Sequence, residues 1–125
     1  MRDHVFGEMV FNTGWKTEIE IFLFGKLWKI TVKAKAYFEK DGITTLQESA
    51  FLDFSNNKEQ RLKRAEKLAL NYSPIDAKCL LVPKTLIFNR DGSYALLFDD
   101  KNDDENGIAV CLFPSEKVVT QDDYL

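Results

Sequence analysis

Five carboxylates fall within eight consecutive positions, Asp99-Asp100-Lys101-Asn102-Asp103-Asp104-Glu105-Asn106, between two apolar runs. Three chemistries suit such a segment. Calcium loops alternate oxygen ligands, as Asp100, Asn102 and Asp104 do, but Glu105 stands where an EF-hand needs glycine and Cys111 where it needs the bidentate glutamate, with no flanking helices expected. Asp103 and Glu105 could act as an acid–base pair, although nothing identifies a partner or pocket for them. As a docking surface, Asp99, Asp100, Asp103, Asp104 and Glu105 would meet a basic protein, chiefly speeding encounter and setting specificity. A solvated hairpin loop is the commonest fate of such charge runs.

Other reactive residues are sparse. His4 is the one histidine, so a histidine-activated serine or cysteine would have to be built on it, and zinc sites of the His/Cys type lack ligands. Cys79 and Cys111 sit in apolar settings without Cys-x-x-Cys spacing and read as reduced core thiols. The six glycines are scattered singly, which excludes a phosphate-binding P-loop. No catalytic residue, metal-ligand set or cofactor is expected.

The 125 residues suit one domain, 1–125, and a 45% hydrophobic, 30% charged composition is that of a folding chain. A net charge of −3 argues against nucleic acid as partner. No apolar run approaches the ~20 residues of a membrane span, so a cytoplasmic protein without a membrane partner is expected.

Alternation marks the first third as a three-stranded antiparallel meander. Gly25-Lys26 suits a two-residue turn with glycine at the positive-φ position. Phe24 then pairs with Leu27, Leu23 with Trp28, Ile21 with Ile30 and Ile19 with Val32, giving one apolar face that also takes Trp15 and Phe11. Asn12-Thr13-Gly14 makes the preceding turn, with Phe11 facing Trp15, Met9 pairing Thr17, Gly7 pairing Ile19 and Val5 pairing Ile21. Lys26, Lys29, Lys33 and Lys35 fall on or near the outer face, where Glu18 and Glu20 neutralise them as cross-strand neighbours. The same register leaves Phe22, Phe24 and Leu27 outside near a turn, a surface for self-association as a homodimer if the protein is not a monomer.

From Gly42 the alternation stops. Thr44 or Thr45 can cap a helix carrying Leu46, Ala50, Phe51 and Phe54, and Asn56 with Glu59 introduces a second helix bearing Leu62, Ala65, Leu68, Ala69 and Tyr72. Its cations, Lys58, Arg61, Lys63, Arg64 and Lys67, read as a solvated face, and Ser73-Pro74 ends it. Cys79–Val82 is a short strand interrupted by Pro83. Thr85–Phe88 and Tyr94–Phe98 flank an Asp91-Gly92 turn, and Ile108–Phe113 follows; the last two are apolar enough for central strands covered on both faces. The expected fold class is α+β: an antiparallel sheet of about six strands, two helices inserted between strands three and four and packed on one face.

Ala95-Leu96-Leu97-Phe98-Asp99-Asp100, Asp103, Glu105, Gly107-Ile108-Ala109-Val110 and Gln121-Asp122-Asp123-Tyr124-Leu125, with Phe6-Gly7-Glu8-Met9, Trp15 and Phe24-Gly25-Lys26, resemble a bacterial family of uncharacterised α+β domains, some of them candidate immunity proteins beside polymorphic or contact-dependent toxins. The chain departs from that pattern at Asn102, where the family often carries Trp. The resemblance implies no catalytic residue. It implies a non-enzymatic interaction protein that neutralises a toxin, with the 99–105 carboxylates plugging a basic toxin domain. The alternative is a small-ligand or divalent-metal-binding module, hydrolytic or not, that uses the same carboxylates.

Overall fold

The computed structural model describes residues 1–72, 81–101 and 103–125, and the side chains of all of these except 103–106. The chain runs through β1 (Arg2–Asp3), β2 (Gly7–Glu8), β3 (Val10–Phe11), β4 (Trp15–Leu23), β5 (Lys26–Ala34), a 3-10 turn (Glu39–Asp41), α1 (Thr45–Asn56), α2 (Lys58–Tyr72), β6 (Leu81–Phe88), β7 (Tyr94–Asp100), β8 (Asp103–Phe113), β9 (Lys117–Thr120) and α3 (Gln121–Tyr124). Strands β3 to β9 form one sheet in that order, and β1 with β2 forms a separate ribbon. The fold is α+β, as expected. The sheet, however, has seven strands rather than about six and is mixed rather than antiparallel, and the helical pair falls between β5 and β6. The helices return the chain to the end of the sheet where β5 began, so β6 runs parallel to β5 over Thr31↔Thr85 to Ala34↔Phe88. The expected first strand breaks up because Asp3 Oδ2 accepts the Val5 and Phe6 N–H groups at 2.9 Å and Gly7 turns at φ 85. Only Val10 and Phe11 reach the sheet, with Phe11 opposite Trp15 as anticipated.

The β4–β5 hairpin keeps the anticipated faces but is shifted by two residues. Its turn is Phe24-Gly25, both at positive φ (53 and 77), and the pairs are Leu23↔Lys26, Phe22↔Leu27, Ile21↔Trp28, Ile19↔Ile30 and Trp15↔Ala34. A shift of two preserves the side-chain alternation, so burial alone does not discriminate between the registers. A left-handed phenylalanine is strained, and local contacts offset the strain. The half-buried Phe24 ring packs against Phe98 at 6.0 Å between centroids, and Trp28 Nε1 donates to the Leu23 carbonyl at 2.8 Å.

Thr44 caps α1: its hydroxyl accepts the Gln47 N–H at 3.0 Å while Gln47 Oε1 accepts the Thr44 N–H at 2.9 Å. Asn57, one residue later than expected, separates α1 from α2. The helices cover the face bearing Ile21, Ile30, Val32, Leu86, Phe88, Tyr94, Phe98, Ile108 and Val110, placing Ala50, Phe54, Leu62, Ala65 and Ala69 against it. Leu46 and Tyr72, expected on these stripes, are exposed. Ile87, Ala95, Leu97, Ala109 and Cys111 form a smaller core on the opposite face beneath Val119 and Tyr124 of β9 and α3. Covered from both sides, Tyr94–Phe98 is wholly buried. Pro83 does not end a strand: β6 passes through it, with a register shift between Pro83 and Thr85. Ser73–Lys78, Cys79 and Leu80, where a helix end, a loop and the start of a short strand are expected, lie outside the described residues. Among those described, no helix is long and apolar enough to cross a membrane.

Candidate functional site

The register of β4 and β5 decides which charges meet. In place of Glu18↔Lys33, the structure pairs Glu18 with Thr31, Glu20 with Lys29, and Lys16 with Lys33. Glu18 still reaches Lys29, at 3.7 Å. Like charges directly opposite on a sheet are unfavourable, and Lys35, just beyond β5, adds a third. Burial, then Lys16, then Lys35 push the Lys33 ammonium below its usual range. Among the described residues, Lys16, Lys33 and Lys35 form no ion pair, whereas Arg61, Lys63 and Arg64 of α2 pair with Asp53, Glu59 and Glu116. Gly14 makes room for this arrangement, since a side chain there would meet the Lys33 stem at 2.7 Å.

Lys33 and Lys35 line a cleft of about 710 Å³, with Thr13, Ala36, Tyr37, Asp41 and the β6–β7 turn residues Asn89, Arg90 and Asp91. Arg90 braces it, its guanidinium donating to the carbonyls of Gly42 (2.6 Å), Asp41 (3.1 Å) and Lys35 (3.3 Å). These partners are neutral carbonyls, and among the described residues Arg90 forms no ion pair. Below it lies Gln47, fully buried, whose Nε2 donates to the Lys35 and Phe88 carbonyls at 3.0 Å each. The two carboxylates present are held locally: Asp41 accepts the Phe38 N–H at 3.1 Å, and Asp91 accepts the Ser93 N–H at 2.9 Å and hydroxyl at 2.7 Å. Those bonds from Ser93 keep Asp91 below the ordinary carboxylate range. Three lining cations, Lys33, Lys35 and Arg90, against two carboxylates leave a local charge of +1 in a chain of net charge −3, and Lys16 stands beside the cleft opposite Lys33. Tyr37, 90% exposed, stands at the rim. Two ammonium groups and one guanidinium line the cleft, with no histidine or cysteine among its described lining residues, so what it offers chemically is positive charge.

The acidic run is not a loop. β7 continues to Asp100 and β8 begins at Asp103, these two residues pair across the hairpin, and Lys101 lies in a turn after β7, Asn102 being outside the described residues. Asp99 is exposed and Asp100 half-buried; Asp103, Asp104 and Glu105 are placed here by backbone only. Phe22 and Leu27 face each other across the hairpin and are 61% and 67% exposed. Phe24, expected beside them, instead turns onto Phe98. That same contact sets the Phe22–Leu27 pair and Asp99 at one end of the sheet, opposite the end where the basic cleft lies.

Sequence reasoning missed the cleft because the turn residues indicated the other register, which neutralises Lys33. Lys16, the residue that exposes the error, carried no signal of its own. No protein-family model, curated protein or solved structure matches this chain.

Proposed function

We propose that the protein is a non-catalytic binding module whose basic cleft takes a small anionic molecule. The reading is carried by Lys33 and Lys35 in the cleft, with Lys16 directly opposite Lys33 and none of the three in an ion pair among the described residues. Clustered like charge opposes folding, and an anion bound among the three offsets that opposition. The cleft's size suits a small metabolite carrying phosphate or carboxylate groups. Calorimetric titration with inorganic phosphate, citrate and adenosine monophosphate tests it. Saturable binding of at least one of them, weakened by Lys33→Met and by Lys35→Met but not by Lys29→Met on the same face, is the expected result. Binding of none, or unchanged binding by both cleft variants, overturns it.

A second reading, neutralisation of a basic toxin domain, draws support from the exposed Phe22–Leu27 pair at the same end of the sheet as Asp99. Phe22 and Leu27 line a groove with Glu20, Lys58, Glu59, Lys63 and Glu66, and an apolar centre rimmed by charges suits a protein partner. The product of an adjacent toxin reading frame, co-expressed, should co-purify with the wild type and be lost from a Phe22→Ser, Leu27→Ser double variant. Equal recovery from both would defeat this reading.

A further inference from the structure

We infer that Asp3, His4 and Glu48 form a site for a divalent transition-metal ion of the zinc or cobalt kind. The three come from separate elements, β1, the ribbon turn and the first turns of α1. The ribbon is fixed on α1 by Phe6, stacked on Phe51 at 4.5 Å between centroids and 12° between planes, one helical turn beyond Glu48. His4 Nδ1 lies 3.3 Å from Glu48 Oε2, and one potential ligand atom from each residue falls within 4.8 Å of the others. Bond lengths of about 2.0–2.2 Å from zinc to nitrogen and oxygen put ligand atoms roughly 3–4 Å apart around one ion. Small rotations therefore close the set. Asp3 Oδ2 accepts the Val5 and Phe6 N–H groups, which orients the carboxylate. Two carboxylates here face each other beside the His4 imidazole.

One imidazole and two carboxylates form a borderline donor set, suited to zinc or cobalt rather than magnesium. The His4 side chain is 80% exposed, so solvent completes the coordination. Metal-free protein titrated with Co²⁺, followed by visible absorption, and with Zn²⁺, followed by calorimetry, should saturate at one ion per chain. His4→Ala and Glu48→Gln should each weaken binding by at least about tenfold, while Glu18→Gln on the sheet leaves it unchanged. Circular dichroism establishes that each variant is folded. Absence of saturable Zn²⁺ and Co²⁺ binding in the wild type, or wild-type affinity in folded His4→Ala or Glu48→Gln, overturns the assignment.

Discussion

Lys16→Glu should stabilise the protein while disabling its cleft. Lys16 stands directly opposite Lys33, and both are half-buried. A cross-strand pair of opposite charge contributes about 0.2–1 kcal/mol, and a like pair opposes folding by a similar amount. Reversing one charge moves the pair from the second state to the first, a gain of about 1 kcal/mol, or a rise of about 4 °C in Tm for a domain of this size. The partners are closer than the ~8 Å screening length at physiological salt, so the gain persists there and shrinks toward 1 M salt. Urea denaturation would read it as a higher midpoint at unchanged slope. Two controls bind the result to the geometry. Lys29→Glu breaks the pair with Glu18 and should destabilise, and Lys16→Glu should gain nothing once Lys33 is methionine. The same substitution should weaken binding of phosphate-type anions several-fold. If Lys16→Glu is neutral or destabilising, or still stabilises without the Lys33 ammonium, the reasoning fails.

Gln47→Leu removes two hydrogen bonds to the Lys35 and Phe88 carbonyls and half of the capping box; at about 1 kcal/mol for each bond lost, chemical denaturation should show a loss of about 2–4 kcal/mol. Gly107→Ala should also be destabilising by denaturation, since its Cβ would collide with the Phe98 carbonyl and the Gln121 amide, which are themselves hydrogen-bonded at 2.7 Å. Burial raises Cys111 above its ordinary 9.0 and Tyr94 and Tyr124 above 10.0. The stability contributed by their neutral forms is therefore complete below those values and declines as pH rises past them. Lys33, depressed below 10.5, adds a slope of opposite sign, which cancels when wild type is compared with Tyr94→Phe. That variant should lose about 1.5–3 kcal/mol at neutral pH with the 3.1 Å bond to Asp53, and lose less than the wild type between pH 9 and 11.

What was legible in the residues was whatever one period or one turn determines. Alternation identified the apolar face of β4 and β5, Asp91-Gly92 identified the β6–β7 hairpin, and of the two candidate caps, Thr44 and Thr45, it is Thr44 that starts α1. Where two solutions satisfy one pattern, the sequence does not choose. The shift at Phe24-Gly25 rests on a ring contact with Phe98, 74 positions away, which no local rule contains. The parallel β5–β6 pairing likewise depends on where the crossover returns the chain. Gln47 shows both sides: its capping spacing is local, but its clamp on the Lys35 and Phe88 carbonyls exists only after the two strands meet. The acidic run drew attention by composition, and composition does not distinguish a loop from two strand ends.

Among the described residues four pairs join β5 to β6, reinforced by the Lys35 N–H to the Phe88 carbonyl at 2.9 Å and by Gln47. This is the seam between two antiparallel halves, β3–β5 and β6–β9. The cleft straddles it, with Lys33 and Lys35 on one half and Asn89, Arg90 and Asp91 on the other. An anion held there fastens the halves together, so its affinity and the sheet's resistance to opening along this line are one free energy measured in two ways. Slowed amide exchange at Lys35 on ligand addition would register occupancy from inside the sheet, without any probe on the ligand.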